Sequence, residues 1–161
     1  VTLLENVRDE LVAANLGRKP DVPGPGGRPW LPTIWRHPDD GPVAPGDAVE
    51  QGKPAAAQDD GLVISLMWAP GIPPPAGEEE RRQDGVDIVL RGIAVPAIAA
   101  LEAAIRQRLI GKVDPGGRSD FVLAGGLYVI QCRQWRPFQP VDIVRGIYTF
   151  STGYLFETRV P

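Results

Sequence analysis

The sequence predicts an α+β fold: a mainly antiparallel or mixed β-sheet with two amphipathic helices packed on one face, and long Pro/Gly-rich loops. Three observations carry this. Apolar residues recur at helical spacing near the N-terminus and again between Pro96 and Ile110. Between and after these stretches lie short runs rich in β-branched and aromatic residues, the composition of strands. Finally, 13 of the 18 prolines fall between Pro20 and Pro75, where missing amide donors and fixed φ angles exclude continuous helix.

The elements follow in order. Residues 2–17 read as a helix, with Leu3, Leu4, Val7, Leu11 and Val12 at helical spacing, Thr2 and Glu5 as a capping pair and Gly17 as a stop. Trp30–Trp35 and Leu62–Trp68 are apolar islands in the Pro-rich region and read as strands. The connections around them, at about 37–60 and 69–84, are long for a compact domain.

Val86–Arg91 alternates as a strand, with Val86, Ile88 and Leu90 on one face. Pro96–Ile110 is a helix: Pro96 suits its first turn, Ile98, Leu101, Ile105 and Leu109 form its apolar stripe, and Gly111 ends it, leaving Glu102, Arg106 and Arg108 on the opposite side. A Gly-rich turn over 114–120 leads to a strand at Leu127–Trp135. A Pro-bounded connection holding Phe138 follows, with an additional short strand near Val141. From Gly146 to Val160 the alternation is nearly strict, with Tyr148, Phe150, Tyr154 and Phe156 on one face. Continuous from 147 to 159 it would span about 40 Å at ~3.3 Å per residue, so a bend at Gly153 or a projecting hairpin is expected.

Composition bounds the function. With 161 residues, 43% hydrophobic and 23% charged, residues 1–161 read as a single domain. A formal charge of −3 and a pI of about 5.2 leave no basic field to grip nucleic acid. One Cys and one His provide neither an internal disulfide nor a zinc cage. No apolar run approaches the ~18–20 residues that cross a bilayer, and the first ten residues lack the basic head and apolar middle of an export signal. A soluble protein is expected, with no membrane contact.

The candidate chemistry is sparse. His37, Asp39 and Asp40 put an imidazole beside two carboxylates, a set that can hold a metal or move a proton, but a solvated Pro/Gly turn accounts for them with less. Cys132, inside an apolar strand, reads as core filler. Gly24–Arg28 lacks the Lys-Ser/Thr pair of a phosphate loop. Glu78–Arg82 is a charge run of solvated type that could also dock on a neighbouring subunit. Trp135, Arg136 and Phe138, at a strand end beside a Pro-rich turn, have the chemistry of an interface anchor. No acid, base and anion-stabilising group come together, so no catalytic residue, cofactor or metal is assigned and enzyme activity is not expected.

Gly85-Val86-Asp87-Ile88-Val89-Leu90-Arg91-Gly92, the helix after it, Gly126-Leu127-Tyr128-Val129-Ile130 and Tyr148-Thr149-Phe150-Ser151-Thr152-Gly153-Tyr154-Leu155-Phe156 together resemble the tail terminator and minor capsid proteins of long-tailed bacteriophages. The resemblance covers about residues 86–161 and is one of residue-type pattern. It implies a structural virion protein of the tail neck, assembled in the host cytoplasm as a homo-oligomeric ring, typically a hexamer. Such a ring sits on the head-proximal end of the tail tube, stops tube polymerisation and joins tail to head. Its partners would be the tail-tube protein and the head stopper or connector, with DNA passing through the lumen without being held. An acidic ring suits such a channel. Trp135, Arg136, Phe138, Tyr148, Phe150, Tyr154 and Phe156 are then the candidate subunit or partner interface, and the sheet face away from the helices is expected to meet another subunit. Another neck component, such as a head-completion or stopper protein, is the nearest alternative. A small metal-dependent hydrolase using His37–Asp40 is the alternative of a different class.

Overall fold

The computed structural model describes residues 2–19, 31–37, 40, 62–69, 81–111, 117–144 and 146–159. These form helix α1 (Leu3–Ala13), strands β1 (Thr33–Arg36), β2 (Val63–Ala69) and β3 (Arg81–Gly92), helix α2 (Val95–Ile110), and strands β4 (Arg118–Val122), β5 (Tyr128–Val144) and β6 (Ile147–Arg159). The fold is mixed α+β. Its curled six-stranded sheet has the order β1-β2-β3-β6-β5-β4, and the two edge-side strands β1 and β2 run parallel while every other pair is antiparallel.

Helix α1 starts as its sequence dictates. The Thr2 hydroxyl accepts from the Glu5 amide at 3.2 Å, and the Thr2 amide donates to the Glu5 carboxylate at 3.0 Å, a reciprocal capping box. It ends earlier than Gly17, because the chain turns out at Ala14 and Asn15, the latter at φ +59°. Gly17 instead permits a close approach: a Cβ there would lie 2.6 Å from Ile34 Cγ1 and 2.9 Å from the Pro32 carbonyl, so only glycine lets the chain pass β1 this closely. Helix α2 carries Pro in its first turn, buries Ile98, Leu101, Ile105 and Leu109, and stops at Gly111. Glu102, expected on the outer side, is buried as well.

β1 lies at Thr33–Arg36 where the sequence predicts a strand at Trp30–Trp35, two further strands run well past their expected bounds, and one is an addition. β3 begins at Arg81, inside the stretch expected to be loop, because its polar first residues pair one by one with the end of β6, from Arg81 opposite Arg159 to Asp84 opposite Phe156. β5 absorbs both the Pro-bounded connection and the separate strand expected near Val141, with four register irregularities against β6. β4 is an addition: in Arg118-Ser119-Asp120-Phe121-Val122 only Phe121 is buried. β6 runs unbroken through Gly153, and Gly146, at φ +77°, supplies the turn of the β5–β6 hairpin. Of the expected loops 37–60 and 69–84, Ala69 and residues 81–84 are strand; apart from His37 and Asp40 the remainder lies outside the described residues.

One apolar cluster forms the core. It joins Leu4, Val7 and Leu11 of α1 and Ile98, Ile105 and Leu109 of α2 to Ile34, Ile64, Leu66, Val86, Ile88, Leu90, Cys132, Tyr154 and Phe156 of the sheet. The register sets Ile64, Leu90 and Phe150 in one row, Leu66, Ile88 and Thr152 in the next, and Val86 and Tyr154 after them. These alternate residues share a face of the sheet, as the two-residue strand period requires. Helix α1 lies against β1 and β2, and α2 against β3 and β5. No helix among the described residues is long and apolar enough to cross a membrane.

Candidate assembly surface

The predicted interface residues separate into two groups. Tyr154 and Phe156 are fully buried and belong to the core, so they offer no surface to a partner. Alternation shows that two residues share a face, but not which face turns inward, and here the aromatic face turns into the core. Phe138, Phe150 and Tyr148 are partly buried against the same core, with the Phe138 and Phe150 rings stacked at 4.9 Å between centroids. Trp135 is exposed. Arg136 lies over its ring at 5.3 Å and forms an ion pair with Asp87 across β6. Gly153 makes room for both: a Cβ there would be 2.8 Å from Trp135 Nε1 and 3.0 Å from Arg136 Nε.

The other candidates are occupied otherwise. Asp40 accepts from the Arg36 guanidinium at 2.8 and 3.1 Å and from the Arg36 amide at 2.8 Å, while Arg36 also meets Glu5 of α1 at 2.8 Å. Burial works against the Asp40 carboxylate, but the hydrogen bonds from Arg36 outweigh it and hold the group below the usual carboxylate range. Arg36 thus fastens the end of β1 to α1, and Asp40 holds its guanidinium in place. The His37 amide donates to the Leu66 carbonyl at 2.9 Å, and its buried Nε2 has no partner among the described residues. Asp39 lies outside the described residues, as do Gly24–Arg28 and Glu78–Glu80. Among the described residues no three His, Cys, Asp or Glu side chains gather as a metal would need. Cys132 is a free, buried thiol pushed upward in pKa by that burial. Arg81 and Arg82 pair with Glu157 and Asp84 at 2.9 and 2.7 Å.

A second exposed apolar group is absent from the sequence-based candidates. β4 pairs with β5 only as far as Cys132, so Arg133–Val144 has no strand on its outer side among the described residues. Residues 139–144 are all exposed, including Val141, Ile143 and Val144. Ile93 and Val95 are also exposed, just past Gly92, which lies opposite Tyr148 in the row that Ile143 completes. Exposure in this group runs from 37% at Val95 to 64% at Ile143. The signal available is Val141-Asp142-Ile143-Val144, β-forming residues directly after a proline. At the opposite end of β6, Leu3, Trp68 and Leu127 line a groove of about 280 Å³ together with Arg82, Asp84 and Arg159.

Compared with models of known protein families and with curated proteins, the sequence matches none.

Proposed function

We propose that this chain is a tail terminator of a long-tailed bacteriophage: a ring, of six subunits by the resemblance, that caps the head-proximal end of the tail tube, stops its growth and joins tail to head. The observation that carries the reading is the order of residues 86–161, a strand, a helix and a long terminal hairpin built from the segments that resemble these proteins. Supporting it, the hairpin and its exposed apolar edge give a small subunit reach beyond its own core, which a ring requires of each protomer. The net charge of −3 per chain suits a lumen that lets DNA slide.

In this reading both helices lie on the same face of the sheet and stabilise the subunit, and the tail-tube protein and the head connector are its partners. The protein is structural and not an enzyme, needs no cofactor, and resides in the neck of the virion. Removing its gene from the producing phage tests this. The terminator reading expects overlong or unfinished tubes beside full heads. Tails of normal length with heads that leak DNA would assign the chain to a stopper or head-completion role instead.

A further inference from the structure

Two surfaces without a partner among the described residues sit at opposite ends of the same strand pair, about 40 Å apart at ~3.3 Å per residue along β6. At one end is a ridge: Ile143 and Val144 at the hairpin tip, flanked by Ile93 and Val95. In register, Ile143 lies opposite Tyr148 and Val144 opposite Ile147, so the ridge is apolar on both faces. Ribbon of this kind is marginal in water without something to cover it. With Val141, these side chains expose on the order of 400 Å², about half of the ~800 Å² that one partner contributes to a standard interface. At the other end is the groove whose apolar lining is Leu3, Trp68 and Leu127.

Charge matches the two. The ridge carries Asp142, which is exposed and, with Arg91 near enough only for a longer-range attraction, forms no ion pair among the described residues. The groove is lined by Arg159, which likewise has no carboxylate partner among them, the groove's Asp84 being paired with Arg82. Addition of a strand to the open edge of β5 fits less well, because Pro137 and Pro140 take two donors out of any backbone ladder there.

We propose that the β5–β6 tip of one copy seats in the Leu3–Trp68–Leu127 groove of the next, with Asp142 meeting the next copy's Arg159. The contact joins two different surfaces, so it propagates head to tail, and it makes a ring where the rotation between successive copies closes and an open filament where it does not. It deepens the ring reading above and rests on it. Each contact is too small to hold an isolated pair firmly, and closure gives every subunit two.

Cysteine pairing tests the seat. Ile143→Cys and Trp68→Cys proteins, mixed and mildly oxidised, are expected to form a disulfide-linked dimer that neither forms alone, the buried Cys132 staying out of the reaction. Independently, Asp142→Arg and Arg159→Asp are each expected to weaken assembly by roughly threefold to tenfold, and mixed together to restore it. Both are surface changes, and circular dichroism checks that the variants fold. If the wild type assembles but the cysteines never cross-link and Asp142→Arg assembles normally, the seat is wrong while the ring stands. If the wild type is monomeric at every concentration, the ring reading falls and this contact with it.

Discussion

Arg108 of α2 donates to the Glu10 carboxylate of α1 at 2.9 Å, joining the two helices across 98 residues of sequence. The second carboxylate oxygen of Glu10 accepts the Ala124 amide at 2.7 Å, and Asn6, one turn earlier, accepts the Leu127 amide at 3.1 Å. Helix α1 thereby holds the β4–β5 turn as well as its own neighbour. Glu10→Ala strands a partly buried amide and is expected to cost about 2–3 kcal/mol in denaturant unfolding. Arg108→Ala, losing only the half-exposed partner, should cost less than ~1 kcal/mol.

Glu102 and Tyr154 are both buried, and Glu102 Oε1 has no hydrogen-bond partner among the described residues. Burial raises the Glu102 pKa, with Arg106 at 3.7 Å offsetting part of the effect. The folded protein therefore holds this proton more tightly than the unfolded chain does. Stability is unaffected below the unfolded value of ~4.3, falls as pH rises through it, and levels off above the raised folded value. Glu102→Gln should melt higher than wild type at pH 7.5 and at the same temperature at pH 4. Parallel melting curves at all pH values would contradict this.

Gly17→Ala forces a methyl group onto Ile34 and the Pro32 carbonyl, a clash with backbone as well as side chain. The expected loss is about 2 kcal/mol, read as a lower denaturation midpoint.

Cys132 faces the core with its thiol raised in pKa by burial. A thiol reagent should leave it unmodified in the native protein and label one equivalent per chain in denaturant. Fast labelling of the native protein would mean that β5 opens at this point.

The elements legible in the sequence are those with local causes. The Thr2–Glu5 capping box and the stripe Ile98, Leu101, Ile105, Leu109 are written in residues a turn or two apart. Elements that depend on distant partners are not legible in this way. Arg81–Asp84 becomes strand because β6 lies beside it, and β4 shows one buried side chain in five. β5 keeps Pro137 and Pro140 because its outer edge there pairs with no strand among the described residues. In the candidate surface, Trp135 is recognisable from its neighbours Arg136 and Phe138. The ridge at Ile143 is not, because apolar residues in a strand predict burial, and only the sheet order shows this segment left at an open edge.

Assembly into a ring underlies both the proposed terminator role and the proposed tip-in-groove contact, and electron microscopy of the purified protein decides it. Closed rings with a central hole, six subunits around, are expected both free in solution and on the ends of tail tubes. Strictly monomeric particles at high concentration, with bare tube ends, would contradict it.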